Sequence, residues 1–122
     1  MKYYRKGREI PFESVSGTEG TTKQILIGKE HGPHFALRRF AIEPGGSIPL
    51  HTNTVEHEQF VISGRAEVVV GDEKFIAAPG DALLIPADVP HSYRPLGDDA
   101  YHFICVVPNL PDTMNLVLKD SI

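Results

Sequence analysis

Gly45 to Gly64, GGSIPLHTNTVEHEQFVISG, is the stretch whose reading decides the fold. It opens and closes on glycine turns, and within it His51 and His57 stand where short β-forming runs meet turn residues. Side chains of a strand alternate between its two faces. His51 and Asn53 therefore share a face, as do His57, Gln59 and Val61. Glu56 and Glu58 point away from His57, as solvated or salt-bridging carboxylates. A third histidine, His91, ends the turn-rich run from Pro79-Gly80-Asp81 to Pro90. Neutral imidazole is the commonest metal ligand among side chains. Three of them gathered inside a β-barrel would hold a divalent transition metal with coordination positions left open.

The same grammar extends outward. Short apolar segments at residues 24–27, 35–42, 56–62, 65–70, 74–77, 82–85 and 101–107 end on Gly28, Pro44-Gly45-Gly46, Ser63-Gly64, Gly71-Asp72, Pro79-Gly80-Asp81, Pro86 and Pro108. Strands of this length between regular turn signals predict an all-β sandwich or barrel. No segment sustains a 3.6-residue apolar period, which disfavours α/β folds. Residues 1–22 read as an irregular N-terminal arm, 23–108 as the barrel and 109–122 as a tail. Two readings stand for Asn115-Leu116-Val117-Leu118: an edge strand, or a contact with a second subunit.

Composition narrows the partners. A chain of 122 residues makes one domain, and a formal charge of −4 argues against nucleic acid or an anionic membrane, both of which reward basic surfaces. The basic residues Lys2, Arg5, Lys6 and Arg8 are too few and too terminal to reverse this. Cys105 is the single cysteine, so no intrachain disulfide forms. The N-terminal residues lack the apolar stretch of a secretory signal, and no apolar run approaches a membrane span. A cytoplasmic protein is the expectation.

Gly45, His51, Asn53, His57 and Gly64, at their spacing, resemble the first motif of the cupin superfamily, G-x5-H-x-H-x3or4-E-x6-G. Gly80-Asp81 through Ile85-Pro86 to Pro90-His91 resembles the second. Among cupins, Glu56-His57-Glu58 and the flanking Phe35 to Gly46 and Phe103 to Pro108 look most similar to small single-domain, conserved-barrel members with an all-histidine manganese site. The resemblance covers about residues 35 to 107. It implies a jelly-roll-like barrel (a double-stranded β-helix), a homodimer, and a metal held by His51, His57 and His91 inside the open end. The metal would be Mn, Fe, Ni, Cu or Zn. Two positions depart from the pattern: Asn53 replaces the second histidine of the first motif, and Pro95 stands where an asparagine often follows His91. An amide oxygen is a weaker ligand than imidazole for such metals.

Several residues are assigned two roles each. Asn53 is a weak ligand or a partner of metal-bound water, or else a turn residue. Gln59, inward beside His57, hydrogen-bonds a ligating water or substrate. Arg38 shares the face of Phe40 and Ile42, and either clamps a substrate carboxylate or forms a structural ion pair at the rim. Phe103 and Cys105 line the last strand; Cys105 is a small core residue, or an oxidation-prone neighbour of a redox metal. His31, His34 and His102 are expected at the surface. Phe40, Ile42, Val61, Leu83 and Phe103 are expected to line a water-excluding interior. The resemblance then implies a metalloenzyme, with dioxygenase-type oxidation of a small organic substrate first and isomerase or lyase chemistry second. A non-catalytic module that binds a small ligand or a metal is the alternative.

Overall fold

The structure, a computed structural model, describes residues 3–117; Lys2 and Leu118, named above, lie outside them. Among the described residues, ten antiparallel strands form two facing sheets that share one long strand, β3 (Phe35–Asn53). The first sheet holds β1 (Glu13–Ser14), β2 (Glu19–Ile27), the first half of β3, β9 (Tyr101–Pro108), β4 (His57–Ser63) and β7 (Ala82–Ile85). The second holds β6 (Glu73–Ala77), β5 (Arg65–Val70), β8 (His91–Leu96), the second half of β3 and β10 (Met114–Leu116). The described residues contain no α-helix, only a 3-10 turn at Gly7–Glu9. No helix is long and apolar enough to cross a membrane. The all-β, jelly-roll-like reading therefore holds.

Strand β3 explains how the two sheets close on each other. The sequence reading ends its segment at Ile42, because Pro44-Gly45-Gly46 looks like a stop. The chain instead bends there and stays extended to Asn53, passing from one sheet to the other. Gly46 permits this corner, since a Cβ at that position would sit 2.6 Å from the Glu19 carbonyl oxygen. At Gly64, between β4 and β5, φ is +76° and a Cβ would overlap the Ala100 carbonyl, so only glycine fits. Strand β8 was not anticipated either, and β2 begins at Glu19, inside the stretch read as irregular.

Alternation then builds the core. Strand β4 buries His57, Gln59 and Val61 and exposes Glu58, Phe60 and Ile62; β9 buries Tyr101, Phe103, Cys105 and Val107. Phe40, Ile42, Val61, Leu83 and Phe103 are all buried as expected, joined by Ile85, Val68, Tyr93 and Tyr101. Phe40 and Phe103 face each other across β3 and β9, with ring centroids 5.1 Å apart. Each such side chain contributes about 1.5–3 kcal/mol by leaving water. The tail adds β10 as an edge strand, pairing Leu116 with His51 and Met114 with Asn53. It therefore crosses the end of β3 that carries the motif.

Candidate functional site

The three motif histidines come from three strands and meet at one end of the barrel. His51, on the second half of β3, is the register partner of His91 on β8, and their ring centroids are 4.0 Å apart. His57 opens β4 in the facing sheet, with its ring centroid 6.3 Å from that of His91. All three are buried. They border a cavity of about 260 Å3 that is also lined by Lys23, Arg38, Asn53, Gln59 and Asp112.

Two of the imidazoles are fixed by their own backbone. His51 Nδ1–H donates to the Pro49 carbonyl at 2.8 Å, and His91 Nδ1–H donates to the Val89 carbonyl at 2.9 Å. Each bond reaches back two residues and holds the ring in the tautomer whose Nε2 lone pair is free. Burial lowers the pKa of both, and for His91 the neighbouring His51 adds to the effect, bringing it to about 4. Both rings are neutral at pH 7, the form a metal requires.

His57 is held differently. Its Nε2–H donates to Asp112 Oδ2 at 3.1 Å, while its Nδ1 accepts from the Cys105 thiol at 3.5 Å. Burial lowers its pKa, with the Arg38 charge contributing, against the raising effect of Asp112. Asp112 lies in the tail and is anchored by the Thr54 amide, which donates to Oδ1 at 2.9 Å. Burial works against the Asp112 carboxylate, but the bonds from His57 and Thr54 hold its pKa below the ordinary value. Sequence reasoning missed this residue: 55 positions separate it from His57, and nothing local marks it.

The remaining candidates divide. Asn53 Nδ2 reaches Asp112 at 3.4 Å, whereas its Oδ1 is buried with no partner. Gln59, expected to serve a water or substrate, instead exchanges hydrogen bonds with the Tyr93 hydroxyl at 2.8 and 3.0 Å. Cys105 is fully buried and burial raises its thiol pKa, which favours the core-residue reading. Phe103 is a wall of the cavity, stacked between Phe40 and Tyr93. Arg38 lies 5.0 Å over the Phe40 ring and donates to Cys105 Sγ at 3.3 Å. Among the described residues it has no carboxylate partner, so the structural ion pair is not formed. His31 caps Gly28 in a turn, and His102 lies on the outer side of β9 against Arg39. Neither joins the trio, and Glu56 and Glu58 face solvent as expected.

The donor set suits a divalent transition metal. Two imidazoles with ring centroids 4.0 Å apart have their Nδ1 atoms tied to backbone carbonyls, a third imidazole stands beside them, and the Asn53 Oδ1 lies in the same cavity. As the rotamers stand, no group of three His, Cys, Asp or Glu side chains among the described residues is disposed to hold one ion. Nε2 ligation by His57 would require the Nδ1–H tautomer, whose N–H can donate a hydrogen bond to Cys105 Sγ, and the ring to leave Asp112.

Comparison with known proteins agrees with this architecture. The chain is 31% identical over 121 residues to the 1-methylthio-D-xylulose 5-phosphate methylsulfurylase of Rhodospirillum rubrum, an overlap spanning 94% of this chain and 73% of that one. The quercetin 2,3-dioxygenase of Bacillus subtilis is 34% identical over 68 residues, covering 55% of this chain and 20% of the dioxygenase. The polyketide cyclase RemF from Streptomyces resistomycificus superposes with a TM-score of 0.86 at 29% identity, over 98% of this chain and 89% of the cyclase. Residues 38–107 match the family model for the cupin domain, and with the shared barrel this shows that the chain belongs to the cupin family.

Proposed function

We propose that this cupin is a metal-dependent enzyme acting on a small organic substrate, with His51, His57 and His91 as metal ligands. One observation carries the reading: the Pro49 and Val89 carbonyls hold the two neighbouring imidazoles with their Nε2 lone pairs free. Backbone or carboxylate contacts at the second ring nitrogen are how metal-binding histidines are usually oriented. Asn53 Oδ1 is a weak ligand, or an acceptor for water on the metal. A bound Mn or Fe ion would supply dioxygen activation, and any divalent transition ion Lewis acidity.

The chain's own groups do the rest. Phe40, Ile48 and Phe103, which line the cavity, exclude bulk water, whereas Val61, Ile42 and Leu83 lie in the core behind it. The Gln59–Tyr93 pair braces the cavity wall, and Arg38 orients the substrate. Cys105, flanked by Arg38, Gln59 and His57, holds the His57 ring in place. Dioxygenase-type oxidation fits a three-histidine centre, and a relative matching half of this chain is named a dioxygenase. The His57–Asp112 pair favours a second reading, isomerase- or lyase-type chemistry in which Asp112 takes a proton from the substrate. The similar proteins spanning most of the chain are named a methylsulfurylase and a polyketide cyclase, neither name being that of a dioxygenase.

Elemental analysis and metal titration of the chelator-treated protein test the centre. One equivalent of divalent metal per chain is expected, with uptake abolished in His51→Ala and unchanged in His31→Ala. Absence of uptake by the unaltered protein would overturn the reading. Oxygen consumption across a substrate library then separates the two reaction classes, and metal uptake with no turnover would point to a binding module.

A further inference from the structure

The cavity wall carries a guanidinium that has no carboxylate partner among the described residues. Arg38 lines the cavity, its Nε is buried with no hydrogen-bond partner, and its Nη2 is directed at a weak acceptor, Cys105 Sγ. Arginine stays charged in proteins, and this half-buried guanidinium, resting on the Phe40 ring, has no counter-charge among the described residues. Among the described residues the one carboxylate lining the cavity, Asp112, is bonded to His57 and Thr54 instead. A second cation stands beside it. Lys23 on β2 is the register partner of Phe40, two residues from Arg38, so both cations lie on the inner face of neighbouring strands. The partner of Lys23 is Glu13 at 3.9 Å, a loose pair near solvent.

We infer that Arg38 and Lys23 form the anion-binding end of the cavity and that the substrate is a small carboxylic acid whose carboxylate sits on the Arg38 fork. This rests on the enzyme reading above and gives its substrate a chemical class. The guanidinium fork matches a planar carboxylate through two parallel hydrogen bonds, which would engage the Nε left without a partner. Cys105 Sγ lies 3.3 Å from Arg38 Nη2 and 3.5 Å from His57 Nδ1, so guanidinium and imidazole stand on either side of one sulfur atom. A carboxylate on Arg38 therefore brings its α or β carbon beside the histidines, and the cavity volume of about 260 Å3 restricts the rest of the acid to a few atoms. Lys23, at the wetter end, adds charge that draws the anion in despite the acidic net charge of the chain.

Calorimetric titration of the chelator-treated protein with malonate, inorganic phosphate and the neutral malonamide tests this without relying on the metal. Malonate is expected to bind saturably and malonamide not at all. Arg38→Met should weaken malonate binding at least tenfold, Lys23→Gln several-fold, and Arg38→Lys should recover only part of the loss. Without ligand, Arg38→Met should melt no lower than the unaltered protein, because it removes an unpaired charge; a purely structural arginine would give the opposite. If Arg38→Met does not fold, the exposed-side variant Lys23→Gln and the Arg38→Lys comparison decide. Equal binding of malonate and malonamide, malonate binding unaffected by these substitutions, or binding of phosphate in preference to malonate would each overturn the assignment. Metal uptake is measured separately, so a centre without metal and a cavity without anion affinity are distinguishable failures.

Discussion

His51 and His91 differ from His57 in what holds them, and the difference divides the site into a fixed part and a dependent part. The first two sit opposite each other on paired strands of one sheet, and each ring is oriented by a carbonyl two residues back. Any chain that forms the β3–β8 pair sets both rings at once. His57 lies in the facing sheet and takes its orientation from Asp112, a residue of the tail whose placement depends on β10 and Thr54. Local bonds make a rigid half; a contact across 55 positions makes an adjustable one. On the reading proposed above, the rigid half would supply most of the affinity for a metal, and the adjustable half would only tune it.

The largest effect expected is on the rigid half. His51→Ala or His91→Ala should reduce metal affinity by well over the ~10–100-fold typical of losing an outer-shell partner, as read by competition titration. His31→Ala, altering a surface turn, should leave affinity unchanged. Equal sensitivity to His31→Ala and to the two rigid-half substitutions would contradict the assignment of His51 and His91 as ligands.

Stability should follow pH through the same residues. The pKa of His91 falls from an ordinary 6.5 to about 4 on folding, so between those values the unfolded chain binds more protons. Stability is therefore full above pH 6.5 and declines as pH drops toward about 4. The loss from His91 amounts to at most roughly 3 kcal/mol. Denaturant titrations of chelator-treated protein should show this slope, and His91→Gln should flatten it. A stability that rises on acidification would contradict the burial of a neutral ring.

Smaller changes probe the adjustable half. Asn53→His places an imidazole where the superfamily motif has one and should tighten metal binding by about tenfold, near 1.4 kcal/mol. Asp112→Asn removes the charge that engages His57 but retains a hydrogen-bonding side chain. It should shift metal affinity by less than about tenfold, because the backbone-fixed pair remains. A complete loss of metal in Asp112→Asn would mean that the tail, not the β3–β8 pair, builds the site.

Much of this was legible because burial enforces alternation. His57, Gln59 and Val61 had to share one face of β4 once Val61 was inside, and Phe40, Ile42 and Phe103 gave β3 and β9 their inward sides. What escaped were strands interrupted by turn-forming residues. Strand β3 passes through Pro44-Gly45-Gly46 and Pro49 without ending, because the corner between the sheets needs those residues. Strand β8 carries Pro95 opposite Ala66, yet it still alternates, with His91, Tyr93 and Pro95 inside. Local turn chemistry suggested breaks where tertiary pairing imposed strand. The partners of the site were hidden for another reason: Asp112 and Lys23 reach the cavity through register and tail placement, which no spacing rule encodes.

Crystals grown with zinc, measured at its absorption edge, test whether the three imidazoles converge on one ion. One anomalous peak per chain is expected, about 2.0–2.1 Å from the Nε2 atoms of His51, His57 and His91, with His57 turned away from Asp112. A metal-saturated crystal in which no peak lies among those rings, and His57 still donates to Asp112, would contradict that convergence.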